Sequence, residues 1–527
     1  MTIGKAFKWL WLRQADNSAA YHLLENESDQ IEKGEDAETA NCDLKPNALS
    51  DTALEKEKSS WRWLRMLQAL LPSFLHTSAS QVEPKTLRPT AWLDGLRGVA
   101  ALFVVLHHMS LIWFSWDIHN GWTNWNDHLI RLPILRLVVS GPPNVMLFFV
   151  ISGYALSYKP LSLLRKGQYS KMYQGLASSI FRRHPRLFIP AVVICAPAPV
   201  IAYFGGYGGE GMPGAAIRPM NPPRFNTIWA QFGNYIATIM PLSDVYSPNG
   251  LNWIYSDSLW TLPIEFKSSL VIFAMLLALS ICTARARVVI TSCVAFYSFW
   301  YFHWGELLFV GGMLVVELSL HSQRPASVRE PGFGGAEADI EAKRSTPRWA
   351  VPLRSRVLRR LFSISAFLVV LCILSMPEQG RGAAESYGFK ILVGLIPVHF
   401  YASGAADYFW QPLAAIFLVF VIDRACFLQR IFTTRLAQYL GRVSFALYLV
   451  HMLILHSLGL WLGKYFLQLT GSKSYWEYGT GIGLASVIVG CVIIWAADLG
   501  SRFVDVNAVR FTAWVYGKLC KRAVEMK

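Results

Sequence analysis

From about residue 98 to residue 499 the chain alternates long apolar runs with short polar or basic stretches. A helix needs roughly 20 mainly apolar residues to cross a hydrocarbon core. Ten such runs can be read, at about 97 to 116, 137 to 157, 187 to 204, 259 to 279, 288 to 302, 305 to 320, 360 to 376, 404 to 423, 442 to 463 and 479 to 499. The expected fold class is therefore all-α, a polytopic membrane bundle of about ten transmembrane helices. Ile391 to Phe400 is a further apolar run. Counting it as a span would place the basic stretch Arg424 to Arg442 outside, so it is expected to be interfacial or re-entrant.

Composition supports lipid as the solvent. Of 527 residues 53% are hydrophobic and 16% charged, more apolar surface than one water-soluble core would bury. The formal net charge is +15. Its basic residues lie mostly between apolar runs, and with ten spans the segments Lys159 to Arg186, Arg285 with Arg287, Arg324 to Arg360 and Arg424 to Arg442 all fall on one side. The positive-inside rule makes that side cytoplasmic, with both termini, so the charge is expected to set topology rather than bind nucleic acid. Eight scattered cysteines with no CxxC pair suggest neither a disulfide framework nor a metal site. Met1 to Arg13 has no signal-peptide pattern, so the first span is expected to direct insertion, into the endoplasmic reticulum or another endomembrane.

Three domains are expected. Residues 1–90 form a cytoplasmic, largely disordered tail with an acidic middle from Glu25 to Glu57, and Phe7 to Leu12 and Trp61 to Leu75 are its possible interfacial helices. Residues 91–500 form the transmembrane domain, and 501–527 a basic cytoplasmic tail. The outer segment from about 205 to 258, rich in Gly, Pro, Asn and aromatics, suits a folded lid.

Ionisable residues inside spans are costly and so mark candidate sites. In Leu93 to Met109, Arg97 and His108 bracket an apolar run. Eleven residues are close to three helical turns, so both side chains share a face about 16 Å apart along the axis, while His107 points about 100° away. Arg97 is then expected at the cytoplasmic mouth and His108 near mid-membrane. Coenzyme A suits that separation: arginine binds phosphate, and histidine accepts a proton near neutral pH. Spacing alone favours a topology arginine and a packed histidine.

Five motifs in order weigh on that choice. They are Arg97 and His108 in LDGLRG...HH; Phe148 to Leu156 (FFVISGYAL); Arg182, Arg183 and Arg186 in FRRHPRLFIP; Leu259 to Phe266 (LWTLPIEF), which holds Glu265; and Leu440 to His451 (LGRVSFALYLVH). Together, from about residue 91 to residue 500, they resemble the acyltransferase 3 family of integral membrane acyltransferases, in its fungal-type branch. Met146, Phe266 and Lys267 stand where bacterial members often carry Asp and a further acid or Gln, which bears on acceptor preference.

The resemblance implies an acyl-CoA-dependent O-acyltransferase that moves a short acyl group, acetyl first, to a hydroxyl of a secondary metabolite or a carbohydrate. Acetyl-CoA would be a co-substrate, with no permanently bound cofactor and no metal. His108 would be the general base and Glu265 would orient or stabilise its imidazole. Arg97, Arg182, Arg183 and Arg186 would bind the donor's phosphates, with Ser152, Tyr448 and His451 in support. The partners implied are the lipid bilayer, the donor and a hydroxylated acceptor. A transporter, or a non-catalytic binder of acyl-CoA or lipid, is the alternative class. The paired halves and broken spans common in transporters are not visible.

Overall fold

The computed structural model describes residues 70–75, 87–124, 127–244, 254–322 and 353–524. Phe7 to Leu12, the acidic stretch and Trp61 to Leu75 before residue 70 lie outside them. The chain divides into Met1–Leu71 and Pro72–Lys527, and the bundle is the second unit. Its described secondary structure is entirely helical, as expected. The main helices are α1 (Ala91–Trp113), α2 (Gly141–Arg165), α3 (Tyr169–Ile194), α4 (Ile228–Ile239), α5 (Thr261–Ala278), α6 (Ala284–Trp300), α7 (Trp304–Ser322), α8 (Leu353–Leu374), α9 (Asp407–Arg424), α10 (Arg435–Ile454), α11 (Tyr475–Gly500) and α12 (Val506–Val524).

Among the described residues eight helices can cross a membrane by length and composition, or nine if the bent pair Asp407–Arg424 and Cys426–Phe432 is one span. Ten were expected. The difference is α6, which has 17 residues and is about 25 Å long. Helix directions bear on it. The α2 residues Phe149 and Gly153 meet Trp304 and Phe309 near the start of α7, and Tyr154 meets Gly312 further along it, so the two helices are parallel. An odd number of passes must separate them, and α3, α5 and α6 supply three. The pair α7 and α9 is likewise parallel, with Trp304 beside Tyr408 and Ser322 bonded to Arg424, and α8 intervenes. These directions are the ones that a pass at α6 and at α9 would give. Ile391 to Phe400 makes no such pass: it falls on the helices Lys390–Gly394 and Val398–Ala402, five residues each.

Glycine decides where the closest helix pairs form. A side chain on Gly98 of α1 would strike the backbone of Gly441 on α10, and one on Gly441 would strike Asp94. Gly153 of α2 and Gly312 of α7 make the corresponding approach. Without hydrophobic drive between helices in lipid, such backbone proximity and its dispersion contacts hold the pairs. One apolar core joins α1, α3, α10 and α11, and a second joins α1, α2, α5, α7 and α9. The first helix belongs to both.

The described part of the segment from about 205 to 258 is folded, as its composition suggested. Thr227 caps α4 by accepting the Ala230 N–H. Buried Gln231 donates to the Pro223 carbonyl and to Tyr255 and accepts from Phe225 N–H. At the opposite end, Ser73 donates its backbone N–H and its hydroxyl to Asp498 of α11 at 3.1 and 2.6 Å, fixing the start of the unit to the bundle.

Candidate active site

Arg97 and His108 do share a face, and it is the face turned to α10. Arg97 donates to Ser444 Oγ at 2.9 Å and to the Gly441 carbonyl at 3.1 Å. Asp94 lies 3.3 Å from the Arg97 guanidinium. The His108 ring sits 5.1 Å from that of His451, centroid to centroid. His108 to His451 and Gly98 to Gly441 are contacts at matching ends, so α1 and α10 run parallel and the glycine pair sets how near the imidazoles come.

The vertical placement differs from expectation. Trp92 packs on Tyr154, and His107 packs against Gly141 at the start of α2. Interpolating between these contacts, Arg97 lies beside the middle turns of α2 and His108 beside its outer end. Arg97 is therefore well inside the bundle rather than at its mouth. Its side chain keeps 37% exposure. Asp505, just before α12, is within electrostatic range of Arg97 and Arg186.

The third span is also deeper than the apolar run suggested. α3 and the short helix Pro197–Tyr203 follow each other across Cys195 and Ala196, and Tyr173 near the start of α3 bonds Ser280, just past the end of α5, at 2.8 Å. Arg183, ten residues further on, is then inside the bundle rather than at its cytoplasmic edge. There it meets Glu265 at 2.9 Å, with 11% and 21% of the two side chains exposed. Ser152 of α2 is 3.4 Å from the same carboxylate oxygen. The contacts described for Glu265 are with Arg183 and Ser152, and those for the His108 ring are with His107 and His451. A guanidinium in low dielectric needs a counter-charge, which explains why the carboxylate turns to the arginine. Arg182 donates to the Ser178 carbonyl at 3.2 Å, and Arg186 is exposed.

Tyr448 ties α10 to the start of α5. Its hydroxyl donates to the Ser258 carbonyl and accepts from Thr261 Oγ1 at 2.7 Å. Glu265 stands one turn below Thr261, so this anchor fixes the carboxylate's position. Tyr448 also packs on His451, at 5.8 Å between rings.

Three histidines join the pair that the sequence indicated. His107 Nδ1 donates to the Val139 carbonyl at 2.7 Å, and its ring lies 5.2 Å from His108 and 5.3 Å from His119. His119, on a short helix of the outer loop, meets Ser110 at 3.3 Å, and burial beside Arg136 lowers its pKa to about 3, keeping it neutral. His456 lies in the π-helical turn Leu455–Gly459 that follows α10. The rule that flags ionisable residues in spans would have found His456, which falls in the ninth apolar run; nothing local marks His119. No cluster of His, Cys, Asp and Glu among the described residues could hold a metal ion.

A cavity of about 1180 Å³ opens between α1 and α11, lined among others by Leu102, Val105, Met109, Trp113, Ser486 and Ile493. Its wall on α1 is centred roughly 140° around the helix from His108. That wall faces away from His108, while Ser110 and Val139, which bond His119 and His107, also line the cavity.

A family profile described as an acyltransferase domain matches residues 90–495. The chain is 37% identical over 468 residues to O-acetyltransferase PaAT-1 of Phomopsis amygdali, covering 86% of this chain and 89% of that protein. It is 22% identical over 480 residues to acyltransferase R4 of a Phoma species, covering 82% of this chain and 97% of that one. Acyltransferase clz18 of Cochliobolus lunatus is also 22% identical, over 80% of this chain and 94% of its own. No solved structure matches.

Proposed function

The chain belongs to the acyltransferase 3 family and is a membrane O-acyltransferase, and from that premise we propose that it carries an acetyl group from acetyl-CoA to a hydroxyl. The observation that carries the proposal is the common face of Arg97 and His108, both turned to α10 and about 16 Å apart along α1. Donor phosphates bind Arg97, still partly exposed, together with Arg182 and Arg186 of α3. Arg183 lends its charge mainly to Glu265. The thioester then lies toward His108, whose Nδ1 is buried with no protein partner.

The step itself needs one base. As the acceptor oxygen attacks the thioester carbonyl, His108 takes the hydroxyl proton. The carbon–oxygen bond forms, the carbon–sulfur bond breaks, and the proton passes to the CoA thiolate. His451 and Tyr448 hold the imidazole in place, and Glu265 with Ser152 and Arg183 supports the neighbouring wall. The acceptor is a hydrophobic secondary metabolite in preference to a carbohydrate, since the outer segment is poor in charge. Ten passes, both termini in the cytoplasm and an endomembrane location complete the proposal.

Wild type, His108→Ala and Arg97→Ala, purified in detergent, would be compared for CoA release from acetyl-CoA and for CoA binding. His108→Ala should lose turnover and keep donor binding, and Arg97→Ala should weaken binding. Undiminished turnover in His108→Ala sinks the mechanism.

A further inference from the structure

His456 has no part in the scheme above, yet its surroundings fix what it can do. The backbone N–H of Met220 can only donate, and it reaches His456 Nδ1 at 3.2 Å. That nitrogen must accept, so the ring is neutral and carries its hydrogen on Nε2. His456 is 1% exposed, and Nε2 has no protein partner. A buried N–H without a partner is costly, which points to a ligand that accepts from it.

His451 has the opposite arrangement. Its Nδ1 lies 3.2 Å from the Leu447 carbonyl, which can only accept, so the hydrogen is on Nδ1 and Nε2 offers a lone pair. This ring is fully buried and its Nε2 is likewise without a partner. His108, His451 and His456 all lie within electrostatic range of one another. His456 and His451 thus present one donor and one acceptor that the protein leaves unused, beside the unpartnered Nδ1 of His108. A hydroxyl is the group that both accepts and donates.

The approach to His456 is from the outer segment. Gly208 N–H donates to the His456 carbonyl at 3.0 Å, Met220 holds the ring, and Lys464 donates to the Gly208 carbonyl at 3.1 Å. The π-helical turn carries His456 out of the α-helical register of α10, as such turns often do at functional sites.

We propose that His456 is the acceptor-binding residue: its Nε2–H donates to the acceptor's hydroxyl oxygen beneath the 205–227 segment, and the hydroxyl hydrogen is directed at the His108–His451 pair. The inference rests on the acyltransferase reading. It adds that the acceptor reaches the histidines from the side opposite the donor's phosphates and that a neutral alcohol is what the site recognises.

The test uses full-length protein in nanodiscs with acetyl-CoA and primary alcohols from butanol to octanol, measuring alkyl acetate formed against acetate released by water. In His456→Phe the KM for alcohol should rise about tenfold, the effect of one lost neutral hydrogen bond, and the ratio of ester to acetate should fall accordingly. The KM for acetyl-CoA should stay as in wild type. His456→Gln, whose side-chain amide can donate, should recover part of the alcohol affinity. Met220→Pro, which removes the N–H that fixes the tautomer, should raise the alcohol KM with the histidine intact. An unchanged alcohol KM in His456→Phe, or an equal rise in both KM values, overturns the assignment. So does a wild type that hydrolyses acetyl-CoA but forms no ester with any alcohol. A wild type that releases no CoA at all overturns the acyltransferase reading instead.

Discussion

The pair Arg183–Glu265 separates two accounts of the same carboxylate. It joins α3 to α5 at 2.9 Å with both side chains mostly out of solvent. Glu265→Gln leaves a guanidinium without its counter-charge, and Arg183→Met leaves a lone carboxylate. Breaking a buried pair from one side costs about 3 to 5 kcal/mol, and the residual exposure here brings the figure to about 2 to 3 kcal/mol. Removing both partners together leaves no stranded charge, so the double variant should lose only about 1 kcal/mol where additive losses would give about 4 to 6 kcal/mol, a coupling energy of about 3 to 5 kcal/mol. Thermal unfolding in detergent gives the stability cycle, and CoA release from acetyl-CoA gives a second cycle on the same proteins. If Glu265 is only a counter-ion, activity should return with stability in the double variant. If it acts in the chemistry, stability should return and activity should not. Purely additive losses of stability would refute the argument, because the two side chains would then not depend on each other.

Further outcomes follow from the packing. Gly98→Val should separate α1 from α10, losing both stability and turnover, whereas Gly175→Ala, where a side chain meets open space, should leave both near wild type. Tyr448→Phe removes the hydroxyl between Ser258 and Thr261 and should lower stability by about 1 to 2 kcal/mol, read as a lower unfolding midpoint. Arg97→Lys keeps the charge but not the fork that holds Ser444 and Gly441 together, so the KM for acetyl-CoA should rise while His108-dependent turnover at saturation persists.

Some of this protein is set locally. Apolar runs long enough to span lipid, basic stretches between them and a fixed 100° turn per residue are properties of neighbouring residues, so the helices and the common face of Arg97 and His108 could be read from the chain alone. The prediction that Ile391 to Phe400 does not cross the bundle came from the same source, through the side on which Arg424 to Arg442 must fall. The motif order also pointed to the family to which the chain belongs.

Other features depend on how far one helix slides along another, and no local pattern carries that. Lys159 to Arg186 was expected as a basic segment before a span starting at about 187, but α3 starts at Tyr169 and packs against α5 so that Arg183 meets Glu265. Arg97 is deeper than its place at the start of an apolar run implied, because contact of Trp92 with Tyr154 and of His107 with Gly141 sets the offset of α1 against α2. His456 joins the histidines through a π turn and a hydrogen bond from a residue 236 positions away. The sequence by itself determined which side chains share a helix face. Only the tertiary structure decided their depth and partners, because backbone contact at a few glycines and pairing of buried charges fix the offset between helices.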